Sequence, residues 1–330
     1  MHHDLAVSPC APRSDLEALI RKAAQYAENS RSNATRMGYA SDLRDFCAFC
    51  STYNLPYLPS TPQAVSLYIG DLASRGFTVA TIKRRLAAIG HLHRQAGCVD
   101  SPASAQKHFV LREVLAGIKR TLGEAPHGAE PLLGDAIHRI VAACPRNLLG
   151  IRDRALILLG FSIASRRSLL ASVLEVRDLT FTDQGLYILI RRSKTDPCGA
   201  ESRTVAVPFG EHPPTCPILA VRAWIKAGKM QSGALFRAVD RHGNVRATPL
   251  SPRSIAKILA RATGRAGIHA ATAHISPHSL RVGMCTQAAI NGAGERDIAR
   301  TTLHKSTAMV RRYVRDADLF RDNASKRLGL

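Results

Sequence analysis

His278-Ser279-Leu280-Arg281 sets an imidazole and a guanidinium three residues apart, which on a helix is one face. His304 follows within Leu303-His304-Lys305-Ser306, and Tyr313 within Met309-Val310-Arg311-Arg312-Tyr313. Upstream, Ala164-Ser165-Arg166-Arg167-Ser168 closes a predicted helix, and Arg192-Ser193-Lys194-Thr195 closes a predicted strand. Singly, each piece is ordinary. His91 and Arg94 repeat the His-x-x-Arg spacing elsewhere in the chain, a tyrosine between arginines is commonly an amphipathic surface residue, and a lone histidine is commonly structural. Taken in order, the set Arg, Lys, His-x-x-Arg, His, Tyr supplies a hydroxyl nucleophile, groups that move protons, and cations for an anionic transition state.

Those groups need elements to hold them, and the periodicity predicts two regions. Ser14-Asp15-Leu16-Glu17 has the form of a capping box, opening a helix with Leu16, Leu19, Ile20 and Ala23 on one face. Asn33 or Thr35 starts a second helix, with Tyr39, Leu43 and Phe46 in step. Thr61-Pro62 opens a third that Gly76 closes. A fourth runs from Thr78 to Gly97 on a stripe of Ile82, Leu86 and Ile89, and a fifth carries Leu111, Leu115, Ile118 and Leu122. After the Gly- and Pro-containing stretch 123–131, helices are predicted at Leu132–Cys144 and Ile151–Ala164. Gly185–Ile190 and Thr204–Val207 read as strands around a polar turn at Thr195–Ser202, and helices return from Cys216 to the end. The predicted fold is mainly α: an all-α N-terminal domain, then a mixed α+β domain with one small antiparallel sheet. The boundaries expected are a tail at 1–13, a helical domain at 14–122, a linker at 123–131 and a second domain at 132–330.

Lys+Arg 46 against Asp+Glu 25 leaves a net charge of +21, which calls for a polyanionic partner. Lys83-Arg84-Arg85, Lys119-Arg120, Arg191, Arg192, Lys194, Arg261, Arg265, Arg311 and Arg312 place cations on folded elements of both regions, as a clamp on duplex DNA requires. The start of the chain shows no secretory signal, and the longest nearly unbroken apolar run, Ala155–Ala164, is short of a membrane span. The 8 cysteines are scattered and read as reduced thiols; Cys47-x-x-Cys50, beside Phe46 and Phe49, reads as core rather than as a zinc or redox site. With 5% aromatic residues there is no evident base-stacking platform for RNA, and no basic amphipathic helix of the lipid-binding kind.

The ordered residues resemble the tyrosine recombinase (phage integrase) family, in its simple Cre-like two-domain form, over nearly the whole chain. Ile151-Arg152-Asp153-Arg154-Ala155-Leu156 through Arg166 is similar to the first catalytic box, Pro277-His278-Ser279-Leu280-Arg281 to the second, and Met309 to Asn323 to the tyrosine segment. Arg75-Gly76 through Gly97 is similar to the SAM-like core-binding domain, and too few residues precede Ser14 for a separate arm-site-binding domain.

The resemblance implies a metal- and ATP-independent site-specific recombinase, with no cofactor and no metal site. Tyr313 would attack the scissile phosphate, leaving a 3′-phosphotyrosine and a free 5′-hydroxyl. Arg166 and Arg281 would hold the non-bridging oxygens, Lys194 protonate the leaving 5′-oxygen, His278 serve as general base, and His304 donate a further hydrogen bond. The implied partners are double-stranded DNA bearing an inverted-repeat site and three further copies of the chain. The tail at about 316–330, with Leu319, Phe320, Ala324 and Leu328 on its apolar stripe, would dock on a neighbouring protomer. Arg44, Lys83, Arg84 and Arg253 are candidate DNA contacts on helices suited to the major groove. A cytoplasmic, nucleoid-associated protein of bacterial or phage origin would fit. Two positions depart from the family pattern: Leu169 stands where an acidic residue is common, and Leu303 where glycine is usual. A type IB topoisomerase-like nicking-closing enzyme shares the residue set, and a non-catalytic DNA-binding protein shares the fold.

Overall fold

The computed structural model describes residues 13–98, 100–123, 128–191, 202–269 and 274–303, with 310, 311, 325 and 328. Lys194, His304, Tyr313 and nearly all of the 316–330 tail lie outside the described residues, as do the 1–12 stretch and most of the Thr195–Ser202 turn. The chain divides into two compact units, Met1–Pro126 and His127–Leu330.

The first unit is all helical: α1 (Arg13–Asn29), α2 (Asn33–Thr52), α3 (Pro62–Ser74), α4 (Val79–Gln95) and α5 (Phe109–Leu122). Side-chain oxygens start three of them, because the first N–H groups of a helix have no partner within it. Ser32 Oγ accepts from Thr35 N, Thr61 Oγ1 from Ala64 N, and Thr78 Oγ1 from Thr81 N. Gly76 and Gly97 then turn the chain out of α3 and α4 with φ of 79° and 73°. Phe46, Val65, Tyr68, Ile69, Leu72, Ile82, Leu86, Ile89, Leu111 and Leu115 fill the core, so the predicted α4 stripe faces inward. Cys50 joins that core, and burial raises the thiol pKa of both Cys47 and Cys50.

Three expectations need correction here. Leu16, Leu19 and Ile20 on α1 are exposed, so its apolar face finds no cover among the described residues. Leu122 also faces solvent rather than extending the α5 stripe. Arg85, read with Lys83 and Arg84 as a basic patch for duplex DNA, is buried: three residues after Ile82 and four before Ile89, it shares their inward face. Its charge meets Asp45 and the Tyr68 hydroxyl. Asp45 also accepts from Tyr68 Oη at 2.8 Å and from Arg75 Nη2 at 2.9 Å. Burial alone would raise the Asp45 pKa, but the hydrogen bonds from Arg75 and Tyr68 and the Arg85 charge outweigh it and hold the carboxyl below its usual range.

The second unit packs α6 (Gly134–Ala142), α7 (Leu148–Ser162), α8 (Pro217–Ala227), α9 (Pro252–Arg265), α10 (Pro277–Ile290) and α11 (Glu295–Thr302) with two small sheets. Ala129 bridges to His274 and Glu130 N donates to His274 O, so the end of the predicted linker is tied into this unit. Helix α7 is buried on nearly every side, from Ala155 to Gly160, which explains its unbroken apolar run. β1 (Leu179–Phe181), β2 (Gly185–Ile190) and β3 (Arg203–Pro208) form an antiparallel sheet in that order. Leu186, Ile188, Ile190, Val205 and Val207 point from it into the core. Ile190 pairs with Arg203 at the far end of the β2–β3 ladder.

One small sheet was expected and two are present among the described residues, because β4 (Arg237–Val239) and β5 (Val245–Pro249) interrupt the predicted helical run after Cys216. Asp240 organises their turn by accepting from His242 N and Asn244 N, each at 2.9 Å. No described helix is long and apolar enough to cross a membrane.

Candidate active site

Two helix ends and one helix start converge in the second unit. The first end belongs to α7. Ser165 N donates to Gly160 O at 2.9 Å and Ala164 N to Phe161 O at 3.0 Å, a Schellman closure. Such closures favour glycine at the left-handed residue, yet here it is Ala164, fully buried, at φ 46°. The closure turns the chain sharply and delivers Arg166 two residues later, half-buried at the surface, while Arg167 beside it is exposed.

The start is that of α10. Pro277 occupies its first turn, Ser276 Oγ accepts from His278 N at 3.3 Å, and Ser276 N donates to Ser279 Oγ at 3.0 Å. His278 is thereby fixed in the first turn and exposed, and Arg281 lies one turn on, inside the protein. The helix approaches the Leu132 segment backbone to backbone. A Cβ at Gly283 would lie 2.0 Å from Leu132 O, so only glycine fits there.

The second end is that of α11. Thr302 is buried with its hydroxyl donating to Ile298 O at 2.7 Å, and Leu303 caps the helix at φ 55°, ψ 39°. The family's customary glycine before the second histidine thus has a physical reason: the position is left-handed. Leucine stays there with its side chain packed on the core. The left-handed region costs an L-residue about 1–2 kcal/mol, and a β-branched one more. Leu303→Val is expected to lose about 1–2 kcal/mol while Leu303→Gly stays near wild type, relief of strain offsetting lost packing. Thermal melts of the two variants check this.

Arg281 joins the three pieces. Only 3% exposed, it donates from Nη1 to Ala164 O at 2.6 Å and from Nη2 to Thr302 O at 2.9 Å. Both carbonyls sit at helix C-termini, where the dipole is negative and a guanidinium is favoured. Arg166 and Arg281 both act on His278: partial burial first, then the charges of Arg281 and Arg166, push its pKa below the ordinary histidine value. Of the six predicted site residues, the structure therefore brings together Arg166, His278 and Arg281. Ala164 and Thr302 were missed, because they act through backbone carbonyls that no side-chain pattern reveals. The decoy pair His91 and Arg94 stays on α4 in the first unit.

The described residues group no three His, Cys, Asp or Glu side chains as a metal site. Leu169, in the family's acidic position, begins a π-helical turn (Leu169–Val173) and packs against the core.

The basic residues differ in what they do. Arg44, Lys83, Arg84 and Arg253 are exposed. Arg191 instead ties the end of β2 to the buried Asp178 at 2.7 Å, Arg265 lies 3.8 Å from the buried Asp153, and Arg311 pairs with Glu295 at 3.0 Å. These three serve in part to neutralise acids of the fold.

The sequence profile of the phage integrase family matches residues 130–319. The chain belongs to the phage integrase family. A profile of the N-terminal SAM-like domain of phage integrases matches residues 24–96. An integrase/recombinase xerD homolog of Selenomonas ruminantium is 34% identical over 314 residues, covering 94% of this chain and 90% of the relative. The tyrosine recombinase XerC of Syntrophus aciditrophicus is 27% identical, covering 90% and 93%. In fold, the chain is similar to a lambda integrase (75–356) dimer bound to a COC′ core site, with a TM-score of 0.59 at 16% identity over 90% of this chain and 93% of that one. Membership of the phage integrase family carries its activity: the chain is a site-specific DNA recombinase, an enzyme that cuts and rejoins DNA.

Proposed function

We propose that this recombinase cleaves each strand by transesterification at the cluster built around Arg281. The Tyr313 oxygen attacks the scissile phosphorus, the bond to the 5′-oxygen breaks, and a 3′-phosphotyrosine forms. Lys194 gives a proton to the departing 5′-oxygen, and His278 takes the proton of the tyrosine hydroxyl. Arg166 and Arg281 neutralise the charge that grows on the non-bridging oxygens, with His304 as a further donor. The ester keeps the energy of the broken bond, so rejoining needs no nucleotide.

The observation that carries this reading is the Arg281 clasp, which ties the helix bearing His278 to the α7 end that leads into Arg166. The depressed His278 pKa favours a neutral, proton-accepting ring near pH 7. Cleavage is therefore expected to hold above the ordinary histidine pKa of about 6.5 and to fall as pH drops through the lower folded value.

The first unit is read as a core-DNA-binding domain over 14–122, joined by a linker at 123–131 to a catalytic domain over 132–330. Its substrate is duplex DNA with an inverted-repeat site, and four copies act on two such sites through a Holliday junction. The segment from about 316 onward is exchanged between copies. The protein works in the cytoplasm, on the nucleoid. The relatives' names and the surplus of 46 Lys+Arg over 25 Asp+Glu support this assignment.

Two linear duplexes carrying a site selected from a random pool test it. In EDTA, the full chain is expected to yield reciprocal recombinants, and deleting Leu319 onward is expected to reduce two-site assembly far more than single-site binding. A requirement for divalent metal would contradict the mechanism. Relaxation of supercoiled plasmid without reciprocal products would favour a nicking-closing enzyme.

A further inference from the structure

On α2, the exposed positions Ala34, Met37, Ser41 and Arg44 follow helical spacing, and on α4 Lys83, Arg84 and Ala87 are exposed. Arg84 leaves α4 and crosses to α2, where its Nη1 lies 2.9 Å from Asp42 Oδ2. It passes directly over Gly38, whose missing side chain makes room: a Cβ there would sit 3.2 Å from the same nitrogen. The two partners are unequal. Asp42 is 3% exposed at its side chain, while Arg84 is 49% exposed. Asp42 Oδ2 has no hydrogen bond aligned on it from the described residues, and Oδ1 faces Arg85 Nε at 3.7 Å. Burial raises the Asp42 pKa above the usual carboxyl value, against the pull of Arg84 and then Arg85.

A carboxylate in this place is a puzzle for a chain that binds a polyanion, since phosphates repel it. Its burial behind the arginine removes the objection, and at the surface its charge draws the Arg84 side chain across Gly38. A free arginine gives up rotamer freedom on being ordered, and one already drawn to a buried charge gives up less. The fork is planar. With Nη1 on Asp42, a second edge of the guanidinium remains for a bidentate partner, and a guanine edge, with O6 and N7 side by side, is the base that matches it.

We propose that Asp42 is a positioning residue for sequence recognition, laying Arg84 across Gly38 so that its guanidinium reads a guanine in each half-site. The inference rests on the reading of the first unit as a DNA-binding domain.

Binding-site selection from a random duplex pool with the full chain, followed by sequencing, tests it. The wild type is expected to enrich guanine at one position of each half-site. Asp42→Asn, which removes the orienting charge with little change of shape, is expected to lower the preference there about tenfold and leave the other positions intact. Arg84→Lys keeps a positive charge before Asp42 but removes the fork, and is expected to do the same even if Asp42→Asn folds poorly by circular dichroism. Unchanged preferences in Arg84→Lys or in a folded Asp42→Asn, or an equal weakening at every position in both variants, would overturn the proposal and leave Asp42 a purely structural residue. No sequence preference in the wild type would overturn it together with the DNA-recognition reading.

Discussion

Arg281→Ala is expected to abolish DNA cleavage and to destabilise the protein, whereas Arg166→Ala is expected to abolish cleavage with little loss of stability. The difference lies in what each guanidinium touches. Arg281 is buried and holds the carbonyls of Ala164 and Thr302 at 2.6 and 2.9 Å. Removing it leaves two carbonyls without that donor at about 1–3 kcal/mol each, partly recovered if water enters the space. A net loss of about 2–4 kcal/mol corresponds to a fall in Tm of roughly 5–15 °C. Arg166 is half-buried and hydrogen-bonds to no described residue through its side chain, so its removal costs little in stability. On the proposed mechanism either loss would strip a cation from the transition state, worth about a hundredfold to a thousandfold in rate. Arg281→Lys separates the two roles of Arg281. A point charge cannot span two carbonyls, so stability recovers in part and cleavage remains low. Thermal melts beside single-turnover cleavage check all three, and equal Tm values for Arg281→Ala and wild type would show that the clasp holds nothing together.

Tyr313→Phe is expected to remove every covalent protein–DNA adduct while leaving DNA affinity within about twofold. Only one oxygen is lost, and non-specific affinity comes from phosphate contacts made by lysines and arginines across the surface. Nitrocellulose or mobility-shift binding next to a denaturing gel separates the two effects. A persistent adduct would move the nucleophile to another residue.

Much of this arrangement was legible because its determinants are local. Thr61-Pro62 and Thr78 cap helices where the sequence places them, since an N-cap needs only its own side chain and the next few N–H groups. The His278–Arg281 spacing survives as one turn of α10 for the same reason. The errors have the opposite character. Arg85 is buried because Asp45 and Tyr68, distant in sequence, supply its partners. The β4–β5 hairpin has short strands with half-buried or exposed residues, so alternation gives little signal; the turn built on Asp240, with Gly243 and Asn244, was the usable sign. The apolar face of α1 reads as core by pattern, but pattern does not say which surface will cover it. At the site, the left-handed φ of Ala164 and Leu303 is carried by residues that seldom adopt it, so composition conceals the two turns on which Arg281 is hung.

The most direct measurement is covalent capture. Wild type and Tyr313→Phe are incubated in EDTA with a random duplex library, and the DNA still attached after denaturing washes is sequenced. Adducts that depend on Tyr313, joined through the 3′-phosphate and gathered at one inverted-repeat sequence, are the predicted result. Adducts formed equally by Tyr313→Phe, or none formed by wild type on the sequence it binds most tightly, would contradict the account.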